Sequence, residues 1–127
     1  MTSPEPDLLD LIAEIQAAPA QPSEPGQLSA AERFEAFHKA NPAVFAALRH
    51  FALTWVRAKG NQPIGFPAIW ERLRWEVSMS TVGGEPWKIN NNYRSYYARL
   101  LMAREPTLAG LFEVRQSPAD AWLAGAA

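Results

Sequence analysis

Apolar residues recur at helical spacing through most of the chain, and the breaks between runs fall at proline, glycine and asparagine. The first run, Asp7 to Ala18, sets Leu8, Leu11, Ile12 and Ile15 on one side of a short helix, with acidic residues at the front end where the helix dipole favours them. A helix of that length is marginal alone in water, so it docks on the body, docks on another protein, or forms only part of the time. Gln16 to Gln27, rich in Ala, Pro and Ser, reads as a flexible linker. The body then opens at Ser29-Ala-Ala-Glu32, which has the Ser-x-x-Glu spacing of a capping box. Phe34 and Phe37 anchor this helix as far as Asn41-Pro42, where Asn suits an N-cap and Pro the first position of a second helix. That second helix carries Val44, Leu48, Phe51, Ala52 and Trp55 on one face and stops at Gly60, behind Arg57 and Lys59.

After a turn at Gln62-Pro-Ile-Gly65, the stretch Phe66–Val77 predicts a helix with Phe66, Ile69, Trp70, Leu73 and Val77 inward. Trp75 falls on the opposite side, among Glu71, Arg72 and Met79. It either packs under the segment around 80–88 or the N-terminal helix, or stands exposed as a contact for a partner. Thr81-Val-Gly-Gly-Glu-Pro86 breaks this helix, and Asn90, Asn91 or Asn92 caps the next one, which ends before Pro106. Leu111-Phe-Glu-Val-Arg115 alternates apolar and polar as a half-buried strand does, and its expected partner is Trp87-Lys88-Ile89. Ser117 caps a final short helix anchored by Trp122. The expectation is a mainly α fold: a compact helical domain of four to five helices with a short two-stranded β element, winged-helix-like. Residues 1–28 form an acidic, Pro-rich arm bearing the short amphipathic helix, and 29–127 form the globular helical domain.

The helix over Asn91–Glu105 draws attention because it has two distinct sides. Tyr93, Tyr96, Tyr97, Leu100 and Leu101 gather on one and look inward; Asn91, Arg94, Ser95, Ala98, Arg99 and Met102 take the other. A small centre (Ser95, Ala98) between long basic flanks (Arg94, Arg99) lets a nucleic-acid backbone approach closely and meet positive charge, as on the reading helix of a helix-turn-helix protein. Lys88, Asn90, Asn91, Arg94, Ser95 and Arg99 are therefore the candidate nucleic-acid contacts. The loop of about ten residues before this helix is longer than the usual turn of ~3–4 residues, which counts against a regular helix-turn-helix.

Charge changes the picture only modestly. Residues 1–29 carry five acidic and no basic residues, a net of -5, and residues 30–127 carry 12 basic and 8 acidic, a net of +4. A body at +4 favours polyanions but falls short of the footprint of a dedicated nucleic-acid binder. No cysteine is present, which excludes disulfides, thiolate metal sites and a cysteine nucleophile. His38 and His50 lie twelve apart on different expected helices, without the spacing of a metal pair. Gly83-Gly84 lacks the Lys-Ser/Thr of a phosphate loop and reads as a turn. A nuclease could use Glu71 and Glu76 with Lys88, but five residues apart on a helix the two carboxylates point about 140° from each other. No catalytic residue, metal, cofactor or small-molecule ligand is indicated, and no apolar run reaches the ~18 residues of a membrane span. With no leader pattern at the front, a soluble cytoplasmic protein is the expectation.

One resemblance adds to this reading. Phe37-His38, Asn41-Pro42, Glu71-Arg-Leu-Arg-Trp75, Thr81, Lys88-Ile-Asn-Asn-Asn-Tyr93, Tyr97-Ala-Arg-Leu-Leu-Met102, Pro106 and Gly110-Leu-Phe-Glu-Val-Arg115 together look like a group of small uncharacterised bacteriophage and prophage proteins. The likeness covers roughly residues 34–120. It implies a compact intracellular domain carried by mobile elements, with no activity or functional residues to transfer. Three functions stand as expectations: a DNA-binding, winged-helix-like protein with a regulatory role, an adaptor or inhibitor that grips a host or phage protein, and, ranked last, a hydrolase. The adaptor contact would be Leu8, Leu11, Ile12 and Ile15 of the arm, or Trp75.

Overall fold

A computed structural model of the protein describes residues 7–17, 28–80 and 87–126, with residue 126 described for its backbone only. Six α-helices fall within them: α1 (Leu8–Ala17), α2 (Ala30–Ala40), α3 (Pro42–Lys59), α4 (Phe66–Ser80), α5 (Arg94–Arg104) and α6 (Pro118–Ala126). Short 3-10 turns at Asn91–Tyr93 and Pro106–Leu108 flank α5. Most of the expected linker, residues 18–27, and the break at Thr81–Pro86 lie outside the described residues.

Local chemistry accounts for the helix ends. Ser29 Oγ accepts from the Glu32 amide at 3.1 Å while Glu32 Oε1 accepts from the Ser29 amide at 3.1 Å, closing the capping box of α2. Asn41 does not act as expected. It makes no side-chain cap for α3; instead its Nδ2 donates at 3.0 Å to the Phe37 carbonyl, which also accepts the Asn41 backbone amide at 2.9 Å, closing the end of α2. One buried Asn thereby turns the corner between two helices with no residue to spare, and Pro42 needs no donor as α3 begins. Gly60 ends α3 with φ of 64°, a left-handed conformation that costs a residue with a side chain.

The core forms around α5. Tyr93, Tyr96, Tyr97, Leu100 and Leu101 are all buried, as their spacing predicts. Phe34 of α2 stacks on Tyr96 at 5.0 Å between ring centroids and meets Tyr97 edge-on at 4.7 Å; Trp70 of α4 reaches Tyr97 at 5.9 Å. The inward face of α4 holds Phe66, Ile69, Trp70, Leu73 and Val77, all buried. Trp122 of α6 closes the aromatic cluster against Phe34 and Tyr96, and its indole nitrogen donates to Glu35 at 2.7 Å.

One expectation is corrected. No strand occurs among the described residues, so the two-stranded β element and with it the wing are not present there. Leu111 and Phe112 are both buried, one after the other, instead of alternating, and Phe112 packs edge-on against Phe66 at 5.0 Å. The Leu111 carbonyl accepts from the Ile64 amide at 3.4 Å, a contact with the loop before α4 and not with Trp87–Ile89. Apolar anchoring, not a ladder, holds the segment. Of the alternatives open to α1, docking on the body is the one found: Leu11, Ile12 and Ile15 are buried, and the helix lies against α3 and α4.

Candidate functional site

The side of α5 expected to face solvent is largely enclosed. Ala98 and Arg99 are buried, Arg94 and Ser95 are half-buried, and α6 with the segment before it covers this side. Arg99 is 4% exposed. Its Nε donates to Asp120 Oδ1 at 2.6 Å, Nη1 donates to the Ser95 carbonyl at 3.0 Å, and Nη2 donates to the Arg115 carbonyl and, at 3.4 Å, to Asp120 Oδ2. Four of the five guanidinium donors are engaged within the fold and the side chain is buried, so the group is not presented to a phosphate. Arg99 is thus a structural clamp joining α5 to the start of α6, and its assignment as a nucleic-acid contact is withdrawn. Asp120 serves a second purpose, accepting from the Ser117 amide at 3.0 Å while Ser117 Oγ accepts from the Ala119 amide at 3.0 Å. The Arg99 side-chain hydrogen bond, then the Ser117 backbone bond, holds the Asp120 carboxyl below its ordinary range.

The asparagines are also occupied. Asn90 Oδ1 accepts from the Asn92 amide at 2.9 Å and caps the 3-10 turn. Asn91 Oδ1 accepts from the buried Trp70 indole at 3.2 Å, and its carbonyl accepts from Arg94 Nε at 3.3 Å. Lys88 is exposed, and Arg94 and Ser95 lie at the edge of a groove of about 520 Å³. Ser95 and Ala98 floor this groove, Phe66 and Pro67 form one wall, and residues 113–117 form the other. The small centre seen in the sequence is real; Arg99 lines the groove with its guanidinium held inside the fold, and Arg115 lines the opposite wall. Glu113 lies on the same wall and offsets part of the charge.

The arm's stripe is likewise unavailable. Leu11, Ile12 and Ile15 are each 4% exposed, and half-buried Leu8 packs against the core, so these four cannot grip another protein without α1 detaching. Trp75 behaves differently. It is 62% exposed, and Met79, one turn further on, is 66% exposed; of the segment expected to cover it, residues 81–86 lie outside the described residues. The surrounding charges are paired within α4. Arg72 Nε meets Glu76 Oε1 at 2.9 Å and Arg74 Nη1 meets Glu71 Oε1 at 3.0 Å. Those pairs also occupy the two carboxylates that a nuclease reading would have used. Met79 stands four residues from Trp75, so the i, i+4 rule applied to the outward side would have found the patch as a pair.

A polar group sits at the aromatic core. His38 stacks on Phe34 at 5.7 Å, lies edge-on to Tyr97 at 5.8 Å and comes within 3.5 Å of Arg104 Nη1 through Nε2. Burial, followed by the Arg104 charge, pushes its pKa below the ordinary histidine value. The Tyr97 hydroxyl is buried with no hydrogen-bond partner, and burial drives its pKa far upward. Neither group opens onto one of the surface grooves described. Among the described residues no group of three His, Cys, Asp or Glu could hold a metal ion, and no helix is long and apolar enough to cross a membrane.

Comparison with known proteins adds no further constraint: no family model matches the chain, and neither a curated protein nor a solved structure does.

Proposed function

We propose that this chain is a protein-binding module whose contact surface is the outward face of α4. The observation that carries the reading is the exposed Trp75–Met79 pair. Large side chains left side by side in water forgo the ~1.5–3 kcal/mol that burying each would return, and Trp is the residue most enriched among energetic anchors of interfaces. The flanking ion pairs of α4 leave the face without net charge, which suits a protein surface better than a polyanion. Full chain bearing a tag, incubated with host lysate and with a second, differently tagged copy of itself, tests the reading. Retained protein should survive nuclease treatment and disappear in Trp75→Glu and Met79→Glu. Retention indifferent to both substitutions overturns the proposal.

A second reading, nucleic-acid binding, is favoured by one specific observation: Arg94 and Arg115 flank a groove whose floor of Ser95 and Ala98 admits a close approach. Contacts there would be to phosphates, with no helix presented to base edges. Duplex binding that falls steeply with salt and weakens in Arg94→Ala and Arg115→Ala supports it. Absence of any duplex binding at low salt removes it.

A further inference from the structure

We infer that the partner of α4 is a second copy of this chain, bound through the same face in an antiparallel, two-fold pair. This rests on the reading of α4 as the contact surface and adds the identity of what covers it. Ala68, Arg72, Trp75 and Met79 follow one another at spacings of four, three and four, the seam along which helices pack at a shallow angle, and all four are exposed. The seam runs for roughly 16 Å at ~1.5 Å per residue.

The order of these residues is complementary to itself. When two copies of α4 run in opposite directions about an axis midway along the seam, Ala68 of one lies opposite Met79 of the other, and Arg72 lies opposite Trp75. Each small residue then receives a long one, and each indole receives a guanidinium, a pairing that gains from the ring's electron-rich face. Arg72 is already held at the edge of such a stack, 5.6 Å from the Phe51 ring, with 60% of its side chain exposed. Charge agrees. Glu71, Arg72, Arg74 and Glu76 sum to zero, so two identical faces approach without net repulsion, whereas a face of one sign would refuse its own copy. A strongly charged partner of either sign finds no complement here.

The mass of the full chain in solution, followed by light scattering over a broad dilution series, should climb from one chain toward two as concentration rises. Trp75→Glu and Met79→Glu should hold it at one chain at every concentration, with thermal melts matching the parent because both positions are solvent-facing. The register is tested by cross-linking, since the native chain has no cysteine to interfere. Ala68→Cys chain mixed with Met79→Cys chain should yield several-fold more disulfide-linked pair under mild oxidation than either variant alone. A single-chain mass throughout, or a two-chain mass that ignores both glutamate substitutions, overturns the inference, as does a mixture that cross-links no better than its components. If the chain is monomeric yet lysate capture still depends on Trp75, self-pairing is wrong while the protein-binding function stands; if neither depends on Trp75, both fall.

Discussion

Arg99 shows how a residue's chemistry can hide its place. In sequence it is a cation on the polar side of an amphipathic pattern, and nothing local says that Asp120, twenty-one positions on, will fold over it. Arg99→Ala should therefore be destabilising, by about 1.5–3 kcal/mol for hydrogen bonds to a charged group, read from denaturant melts. Arg94→Ala, at the groove edge, should stay near the parent. Tyr97 carries the reverse lesson: its ring was legible as core from spacing, but its hydroxyl finds no partner. Tyr97→Phe should be neutral or slightly stabilising, while Tyr97→Ala should cost ~3–5 kcal/mol as a truncated core aromatic. His38 sets a pH dependence. Its folded pKa lies below its unfolded value, so the folded protein binds fewer protons in that window and stability rises with pH. The contribution is fully present above the unfolded value of ~6.5 and is lost as pH falls toward the folded one. Melts between neutral and mildly acid pH should show this slope in the parent and a smaller one in His38→Gln, where no imidazole titrates.

At the scale of elements, helices with one wet face were legible and everything defined by a distant neighbour was not. The inward faces of α3 and α4 follow from spacing alone, and so does the capping box of α2, because each is written within a few residues. The α5 helix was half legible. Its tyrosine–leucine side is core, but its other side is covered as well, by α6 and the segment ahead of it, and burial on both sides leaves no surface for a recognition helix. The stretch Leu111–Arg115 misled for a related reason. Alternation is a property of one strand, whereas a sheet needs an edge to pair with, and the backbone bonds of Leu111 go to Ile64 and, within the preceding turn, to Leu108. Of the candidate site, Trp75 was legible as an anomaly because no reading of α4's phase brings it inward. The groove beneath Arg94 was legible only in its floor, since Arg115 comes from a segment that sequence assigned to a wing.

For the whole molecule, α1 decides whether charge and stability can be tested separately. The acidic front of the chain invites deletion as a probe of electrostatic screening, but that deletion would also strip Leu11, Ile12 and Ile15 from α3 and α4. Burying three such side chains is worth on the order of 5 kcal/mol, an upper figure because unfolded chains are not fully extended. Against the ~5–15 kcal/mol that holds a domain together, that loss is large. Removal of residues 1–17 should therefore lower the melting temperature sharply and expose apolar surface to a reporter dye such as ANS. Asp10→Asn with Glu14→Gln, at two exposed positions on the same helix, removes charge and leaves the buried stripe intact, so its melt should match the parent. If the truncated chain instead melts like the parent, α1 contributes no stability and the stripe is free to serve a partner. Any gain in duplex binding should be sought in the double substitution, where the fold is unchanged and the electrostatic effect stands alone.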